Sequence, residues 1–557
     1  MSIGKRIVII GGVAGGASCA ARARRLSEDA RIILIEKGPY VSFANCGLPY
    51  HVGNVIRREE ALLVSSPAMF KNRFNIEVHP LCEATLIDRE NSEVEIVEVE
   101  SGRRRREKYD ALVLSPGASP ITPPVPGVDL PGIFTVRNIP DTRRLKGWIE
   151  KRKARRAMVV GGGFIGLEMT ENLRGLGIEV GIAELQRQVM PLMDAEMISP
   201  IHEELRRHSV GLHLGDAVSG FEQTGGGAIS VSMKSGAKEE VDLVILAVGV
   251  RPETGLARGC GLEIGELGGI RVDERMRTSD PKIWAVGDAV EVRDFVTGQW
   301  TFVPLAGPAN RQGRIAADVI SGRDRSFRGG QGTMVCGVFD LTLASTGPGE
   351  KALKGAGLWE NCEKVYLHPS NHANYFPGAK PISLKLIFSK SDGRVLGAQA
   401  VGHEGVEKRI DVISMAIQKN GTVFDLEEAE LSYAPQYGAA RDPVNMAGMI
   451  AANVVRGDMR QAQWEELENS GVFILDVREP AEFKKGHVEN AVNIPLNTLR
   501  ARMEELPEDR EIWTYCLVGQ RSYYASRILS QHDYEVKSLS GGYKTCKLRE
   551  AQAAEVN

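Results

Sequence analysis

Two glycine-rich segments constrain the fold of this chain more than any other feature of its sequence. The first, Gly11–Gly16, follows an apolar strand at Lys5–Ile10 and precedes a helix predicted at Ala17–Leu26, and the next strand, Arg31–Ile35, ends before Glu36. A glycine-rich turn of this kind lets the backbone approach a pyrophosphate at a helix N-terminus, and the acid then binds a ribose hydroxyl. The segment therefore predicts a dinucleotide-binding βαβ unit.

The second segment repeats this arrangement with a cleaner pattern. The strand Ala157–Val160 leads into Gly161, Gly163 and Gly166, a helix follows through Leu176, and the next strand ends at Glu184. In the first segment Val13 stands where the middle glycine is expected, so that copy alone would be only moderately specific. Two copies in one chain are far more specific than one, and they predict an α/β protein with two nucleotide sites.

Length and charge limit the remaining possibilities. The chain has 557 residues, enough for about three or four domains. Its net charge of -3 gives no reason to expect nucleic-acid or membrane binding. The longest apolar runs are only strand-sized, and the N-terminus enters a strand at once, which leaves no room for a signal peptide. We therefore expect a cytoplasmic protein.

The cysteines predict chemistry at single sulfur atoms. Eight are present, with no CxxC or CxxxxC pair and no metal-like cluster. Cys46 lies in the stretch VSFANCGLPY, just after the first βαβ unit and before a Gly-Leu-Pro turn that should open a helix. A lone cysteine is usually a small core residue. Here its position beside a nucleotide-binding unit favours a redox role.

Residues 1 to about 445 resemble the flavoprotein disulfide reductases with two dinucleotide-binding domains. The family's connecting segments are present as Leu114–Ala118 and Ala247–Pro252, and an apolar strand ends in Gly287-Asp288. By itself that last corner would be a plain strand-to-turn junction. The resemblance implies FAD in the first site, a nicotinamide nucleotide in the second and Asp288 on the flavin's ribityl chain. The cofactor-binding residues that it implies are Gly11, Gly12, Val13, Ala14, Gly15, Gly16, Glu36, Lys37, Ser115, Gly117, Gly161, Gly163, Ile165, Gly166, Glu184, Gly249, Gly287, Asp288 and Pro304.

Cys46 distinguishes between the branches of this family. Glutathione-reductase-like members carry a CxxxxC pair, which this chain lacks. Two single-cysteine branches remain: NADH oxidases and peroxidases, which cycle through a sulfenic acid, and coenzyme A disulfide reductases, which form a mixed disulfide with CoA. The motif around Cys46 is very similar to the second branch, and Ala14 stands where the first has a histidine. CoA chemistry is therefore favoured, and a slowly turning redox-sensing or sulfur-trafficking scaffold is a third alternative.

The resemblance also implies a CoA site and a partner subunit. Arginines on a helix often form only a solvated face, but matching positions line the CoA channel in this branch. The implied CoA contacts are Ser18, Arg22, Arg25, Ser42, Asn45, Lys71 and Arg441. Tyrosines are more often packing residues, yet the resemblance has Tyr375 and Tyr433 reach the partner's active-site cysteine and donate to the leaving thiolate. It therefore implies an obligate homodimer whose active sites are completed across the interface.

The C-terminal part resembles a rhodanese, a sulfurtransferase domain. The strands Val472–Leu475 and Ile512–Tyr515 accompany the motifs DVRE, GHV, NIP and GGY, and the second strand delivers Cys516 in a CxxGxRS loop. Backbone N–H groups, a helix N-terminus and Arg521 would stabilise a thiolate or persulfide there. Phosphatases of related shape have one more residue between cysteine and arginine, so this loop should fit sulfur.

Together the two parts resemble fusions of CoA disulfide reductase and rhodanese, a group that includes NADH-dependent persulfide reductases. The implied activity is reduction of CoA persulfide, polysulfide or CoA disulfide by NADH through FAD and Cys46, with sulfane sulfur carried on Cys516. Glu184 favours NADH, whereas the cation of Arg187 nearby would favour NADPH. The predicted fold is α/β: two Rossmann-like domains for FAD and NAD, an α+β dimerisation domain and an α/β rhodanese domain. The predicted boundaries are 1–117 with 244–325 for FAD, 118–243 for NAD(P)H, 326–445 for dimerisation, 446–463 for a linker and 464–557 for the rhodanese.

Overall fold

A computed structural model of the protein describes residues 4–468 and 470–556. The chain forms two compact units, one made of residues up to 185 together with 210–331, and one made of 186–209 together with the residues from 332 onward. Among the described residues, no helix has both the length and the apolar character that crossing a bilayer requires.

The first unit begins with the βαβ unit predicted from the sequence. Up to residue 120 its elements are β1 (Arg6–Ile10), α1 (Ala14–Arg24), β2 (Arg31–Ile35), α2 (Leu48–Val52), α3 (Pro67–Phe74), β3 (Glu77–His79), β4 (Cys82–Asp88), β5 (Glu93–Glu98), β6 (Arg104–Lys108), β7 (Ala111–Leu114) and β8 (Ala118–Pro120). Helix α1 begins three residues before the predicted start, so Gly15 and Gly16 lie in its first turn. A Cβ on Gly16 would come within 1.8 Å of the Gly11 carbonyl oxygen, so glycine is needed inside the helix as well as in the turn.

The second βαβ unit follows in the same order. Its elements are β9 (Ile133–Phe134), α4 (Ile139–Arg152), β10 (Arg156–Val160), α5 (Phe164–Gly175), β11 (Glu179–Glu184), β12 (Gly211–Leu214), β13 (Val218–Gln223), β14 (Ile229–Met233), β15 (Lys238–Val241) and β16 (Leu243–Leu246), with helix α6 (Ala195–Arg207) belonging to the second unit. Its parallel sheet has the order β12-β11-β10-β16-β9. The second glycine loop therefore opens from the central strand.

The chain then returns to the first sheet. The elements are β17 (Val250–Pro252), α7 (Gly255–Gly259), β18 (Ile270–Arg271), β19 (Ile283–Ala285), β20 (Val290–Arg293), β21 (Trp300–Thr301) and α8 (Ala306–Ile320). Strand β19 completes a parallel sheet of order β19-β7-β1-β2-β3, and Gly287-Asp288 follows it directly. The first glycine loop and the Gly-Asp corner thus leave carboxyl ends of the same sheet, where open α/β sheets bind ligands.

The second unit contains an antiparallel sheet with helices. Its elements after α6 are β22 (Met334–Val338), β23 (Leu341–Thr346), α9 (Glu350–Gly355), β24 (Cys362–Leu367), β25 (Ile382–Ser389), β26 (Val395–Gly402), α10 (Val406–Gln418), α11 (Val423–Glu427) and α12 (Pro443–Val455). The sheet order is β22-β23-β26-β25-β24. The apolar alternation near residues 332–341 corresponds to the β22-β23 hairpin, because one face of that hairpin is buried.

A small parallel sheet ends the chain. Its elements are β27 (Gln461–Ala462), β28 (Phe473–Asp476), α13 (Pro480–Lys484), β29 (Val492–Asn493), α14 (Leu496–Leu499), β30 (Ile512–Tyr515), α15 (Gln520–Ser530), β31 (Val536–Leu539) and α16 (Gly542–Val556). The sheet order is β27-β31-β30-β28-β29. The segment 446–463, predicted as a linker, contains most of α12 and the edge strand β27. The predicted α/β fold class is confirmed.

Candidate active sites

Both glycine loops have the same construction. Gly11 and Gly161 have φ values of +93° and +108°, and a Cβ on either would collide with a backbone carbonyl oxygen 2.0 to 2.3 Å away. The acid of each unit accepts a hydrogen bond from its own loop: Gly12 N donates to Glu36 at 2.8 Å, and Gly162 N donates to Glu184 at 2.7 Å. Each predicted ribose-binding carboxylate is therefore held at the edge of its loop.

The middle loop position explains why valine is tolerated in the first copy. Val13 is the N-cap of α1 with a φ of −93°, which is outside the left-handed region that favours glycine. Gly163 occupies the same place before α5 with a φ of −80°, and a Cβ there would meet no other atom within 4 Å. The fold itself thus requires glycine at the first and last positions of each loop. At the middle position of the second loop, Gly163 only leaves room for a ligand.

A cavity of about 540 Å³ lies against the first loop. It is bordered by the loop, by Glu36 and by Asp288, so a backbone cradle and two carboxylates face one space that suits a dinucleotide. The predicted residues that line it are Gly11, Val13, Ala14, Gly15, Glu36, Lys37, Asn45, Ser115, Gly117, Gly287 and Asp288. Gly12, Gly16, Gly249 and Pro304, which are also predicted, are not part of this lining. The residues present therefore fit FAD.

The cavity also includes a polar cluster that no motif indicates. Arg137 Nη1 donates to Ser119 Oγ at 2.7 Å, and the Ser119 hydroxyl also bonds Glu253. Arg137 and Glu253 line the cavity, and the two form an ion pair at 3.7 Å. These residues come from three separate segments, and only the fold brings them together.

Cys46 is the only exposed cysteine among the eight, all of which are described and none of which forms a disulfide. It lies in a short 3₁₀ turn, Asn45–Gly47, directly before α2. Asn45 Oδ1 accepts a hydrogen bond from the Cys46 backbone N–H at 3.1 Å, and Asn45 lines the cavity. Ser42, with a φ of +52°, donates its N–H to the Gly12 carbonyl at 2.8 Å, which ties this stretch to the first loop.

The electrostatic surroundings of Cys46 oppose its ionisation. Loss of water around the thiol, followed by the carboxylates of Glu168 and Asp288, raises the pKa of Cys46. Burial in turn raises the pKa of Glu168 and that of Asp288. Burial and the two acids therefore favour the protonated thiol.

The predicted CoA contacts of the first unit lie on and near α1. Ser18 bonds Asn310 of α8, and Arg22 forms an ion pair with Asp318 at 2.7 Å with only 15% of its side chain exposed. Arg25 is exposed just after α1, and the exposed Lys71 donates to Asn75 at 3.2 Å. The Arg22 guanidinium is therefore already engaged by Asp318, and the assignment of these residues to CoA stays a prediction.

The predicted tyrosine pair is exposed. In the second unit Tyr375 is 75% exposed and Tyr433 46%, and their hydroxyl groups bond one another. Arg441 is exposed just before α12. Both rings are thus available to a second subunit, and their role there stays a prediction.

Cys516 lies at the end of β30, buried beneath its loop. Gly519, with a φ of +96°, donates its N–H to Cys516 Sγ at 3.2 Å. Arg521 donates through both terminal nitrogens to Glu482, at 2.6 and 2.7 Å, and this pairing lowers the pKa of Glu482 to about 2. The sequence motifs gave no indication of Glu482, which precedes Phe483 on α13.

The chain matches three protein families in succession. Residues 5–313 match the pyridine nucleotide-disulphide oxidoreductases, residues 333–442 the dimerisation domain of that family, and residues 460–548 the rhodanese-like domain. Coenzyme A disulfide reductase of Staphylococcus haemolyticus is 34% identical over 451 residues, which cover 81% of this chain and all of that protein.

Solved structures resemble between 82% and 99% of the chain. The reduced CoADR-RHD of Bacillus anthracis is 48% identical with a TM-score of 0.96, and the match covers 99% of both chains. The NAD-dependent persulfide reductase from A. fulgidus is 38% identical with a TM-score of 0.89, covering 97% of this chain and 99% of that one. The water-forming NADH oxidase from Lactobacillus brevis is 27% identical with a TM-score of 0.77, covering 82% and 99%.

Proposed function

The chain belongs to the pyridine nucleotide-disulphide oxidoreductase family, in the branch of coenzyme A disulfide reductases joined to a rhodanese-like domain, and from this we propose that it reduces CoA persulfide, polysulfide or CoA disulfide at Cys46. The observation that carries the proposal is the position of Cys46. It is an unpaired, exposed cysteine beside Asn45, which lines the cavity of the first glycine loop.

The cofactors of the proposed reaction are FAD and NADH. The first loop, Glu36 and Asp288 would hold FAD, and the second loop with Glu184 would hold the nicotinamide nucleotide. When bound, the flavin supplies the transfer of two electrons from the nicotinamide to a sulfur acceptor. The protein contributes the backbone cradle, the two ribose-directed carboxylates and the acceptor sulfur.

Cys46 would act as a nucleophile. Its thiolate attacks the CoA-bound sulfur of CoA–S–SH, the S–S bond breaks, hydrosulfide leaves, and a mixed disulfide between Cys46 and CoA forms. Two electrons from NADH then break that disulfide, which releases CoA thiol and restores Cys46. The sum is CoA–S–SH + NADH + H⁺ → CoA–SH + H₂S + NAD⁺, and CoA disulfide would give two CoA thiols instead.

Cys516 would carry sulfane sulfur. Its thiolate attacks the outer sulfur of a donor such as thiosulfate, the donor's S–S bond breaks, sulfite leaves and a Cys516 persulfide remains. The N–H of Gly519, which points at Cys516 Sγ, supports this role because it can stabilise the persulfide anion. A sulfane-sulfur carrier has no evident use in cleaving plain CoA disulfide, so persulfide or polysulfide is the preferred substrate class.

The active unit would be a homodimer. A dimerisation domain is present, and the exposed hydroxyl groups of Tyr375 and Tyr433 suit donation to a thiolate leaving from the partner's site. An oxidase or peroxidase activity at Cys46 is the alternative, since the Lactobacillus brevis NADH oxidase shares the fold. Ala14 weighs against it, because a peroxide route would lack the histidine found there in that branch.

The proposal is tested by Cys46→Ser in the FAD-loaded enzyme. NADH-dependent reduction of CoA persulfide and CoA disulfide should vanish while FAD absorbance stays. Cys260→Ser is the matched control, because Cys260 is a half-buried, unpaired thiol of the same unit outside the cavity lining. Turnover retained in Cys46→Ser, or lost equally in Cys260→Ser, would contradict the single-cysteine mechanism.

A further inference from the structure

The C-terminal domain is bonded to strand β24 of the antiparallel sheet. The Lys364 carbonyl accepts hydrogen bonds from Gln461 Nε2 at 2.7 Å and Gln463 Nε2 at 2.9 Å. The Lys364 ammonium pairs with Glu465 at 2.5 Å, and only 2% of this lysine side chain is exposed. The C-terminal sheet is therefore fixed to a strand of its own chain through buried polar contacts.

Further along the same strand the contacts reach residues 540–545. The Tyr366 backbone N–H donates to Ser540 Oγ at 3.2 Å. His368, directly after β24, has Nε2 at 2.8 Å from Thr545 Oγ1 and Nδ1 at 3.0 Å from Ser383 Oγ. Both Thr545 and Ser540 are buried. Replacing either partner would leave a buried polar group unpaired.

Residues 541–544 in turn support the Cys516 loop. The Tyr543 N–H donates to the Cys516 carbonyl at 2.7 Å, and the Lys544 N–H donates to the Leu517 carbonyl at 2.9 Å. These two bonds fix the backbone of Cys516 and Leu517, the first residues of the loop. The loop's orientation, and with it the N–H aimed at Cys516 Sγ, depends on where residues 541–544 lie.

Two glycines fill the gap between β24 and the Cys516 loop with no spare room. A Cβ on Gly541 would lie 2.6 Å from the Tyr366 Cβ and 2.1 Å from Thr545 Oγ1. A Cβ on Gly542 would lie 2.5 Å from the Cys516 carbonyl oxygen and 2.8 Å from the Gly519 nitrogen. The space between strand β24 and the Cys516 loop therefore admits no side chain at either glycine of the GGY motif.

We propose that Tyr366 and His368, which belong to the antiparallel sheet, are positioning residues for the Cys516 site, acting through Ser540, Thr545 and the Gly541-Gly542 turn. This inference rests on the proposed sulfurtransfer at Cys516. It implies that the sulfurtransferase site is a composite of two domains, so the order of its loop depends on a surface outside the rhodanese-like domain.

The chemistry of His368 suits a structural contact of this kind. Burial lowers the pKa of His368 to about 3, so the imidazole is neutral at physiological pH. A neutral ring has one donor and one acceptor nitrogen. The hydroxyl groups of Ser383 and Thr545 can each donate or accept a hydrogen bond, so they can pair with either nitrogen. The contact therefore needs no charge and no counter-ion.

The test uses the full-length, FAD-loaded enzyme with Thr545→Val and Thr545→Ser. Valine keeps the shape and removes the hydroxyl, and serine keeps the hydroxyl. Thr545→Val should lower kcat for thiosulfate sulfurtransfer about tenfold with little change in KM, since small displacements of reacting groups have effects of this size or larger. Thr545→Ser should restore it. Both variants should reduce CoA disulfide with NADH at the wild-type rate.

Hydrogen exchange gives a readout that does not depend on sulfurtransfer. Backbone amides of residues 516–521 should exchange faster in Thr545→Val than in wild type or Thr545→Ser. His368→Leu, which removes the ring nitrogens, should reproduce the effect. It tests the inference if Thr545→Val fails to fold. Unchanged exchange in both variants, or equal loss of both activities, would overturn the inference. A wild-type enzyme without sulfurtransfer would refute the proposed function alone, because the exchange experiment would still decide the positioning role.

Discussion

Tyr50 donates a hydrogen bond to Glu168 across 3.3 Å, and this bond joins the helix that follows Cys46 to the helix that follows the second glycine loop. The same helices meet where Gly53 approaches Asn172, since a Cβ on Gly53 would lie 2.1 Å from Asn172 Oδ1. The turn that holds Cys46 is thus fixed against the second βαβ unit, and the Glu168 carboxylate of that unit raises the pKa of the thiol.

Glu168→Gln should make Cys46 more acidic. The Glu168 carboxylate contributes to the raised pKa of Cys46, so its removal lowers the cost of forming the thiolate and the pKa falls. The pH dependence of Cys46 alkylation by iodoacetamide, followed on its peptide, should shift to lower pH, with a severalfold faster rate at neutral pH. Glu179→Gln removes an exposed carboxylate of the same βαβ unit and should leave the profile unchanged. A profile in Glu168→Gln that is unchanged, or shifted to higher pH, would show that the carboxylate does not control the thiol.

Alanine substitutions at two glycines of the second loop should have different effects. Gly166→Ala places a methyl group 2.0 Å from the Gly161 carbonyl oxygen, and it should destabilise the chain by about 1–3 kcal/mol through overpacking. Gly163→Ala points a methyl group into open space, so stability should be kept while the KM for NADH rises. Thermal unfolding and NADH kinetics check the pair. A destabilised Gly163→Ala or an unaffected Gly166→Ala would contradict the assignment of roles within the loop.

Coenzyme choice should depend on Glu184. Its carboxylate is held by Gly162 N–H at the end of β11, where it can accept a ribose 2′-hydroxyl and repel a 2′-phosphate. The enzyme should therefore have a higher kcat/KM for NADH than for NADPH, and Glu184→Ala should reduce that ratio. A wild-type preference for NADPH would refute this, whatever the absolute rates.

Lys385 should be essential to the stability of the second unit. Its ammonium is fully buried and bonds Asp194 and Glu196 at 2.7 Å each and Glu350 at 2.5 Å. Lys385→Met would leave buried carboxylates without their shared cation and should cost about 3–5 kcal/mol. Lys354 pairs with Glu350 from the surface, so Lys354→Met should cost less than about 1 kcal/mol. Denaturant unfolding of the full chain measures both, and equal losses would contradict the account.

The sequence predicted the parts of the molecule that rest on local patterns. Both glycine loops and the strands Arg31–Ile35 and Ile512–Tyr515 follow from local patterns, and the three families in their order follow from the resemblance to known families. What it could not predict depends on contacts between distant segments. Glu168 beside Cys46, Arg137 in the cavity and Glu482 on Arg521 each occupy a position that no motif marks.

The buried centre of the second unit was equally beyond prediction. Lys385 lies in a strand, and periodicity would place an apolar residue at a position with no exposure. Its partners Asp194 and Glu350 lie on two other segments, so the charge is compensated only in three dimensions. Helix α1 begins at Ala14, earlier than the predicted start at Ala17. Gly16 approaches Gly11 so closely that glycine is favoured inside the first helical turn, where the sequence pattern predicts a loop.

The proposed activity of this chain is the reduction of CoA-bound sulfur by NADH at one cysteine. The most direct test is a side-by-side measurement of kcat/KM with NADH for CoA persulfide, polysulfide, CoA disulfide, peroxide and oxygen, in wild type and Cys46→Ser. We predict the highest value for CoA persulfide or polysulfide, a lower one for CoA disulfide, little turnover with oxygen or peroxide, and none of the sulfur activities in Cys46→Ser. Oxygen or peroxide turnover comparable to sulfur reduction, or sulfur reduction that survives in Cys46→Ser, would contradict the claim.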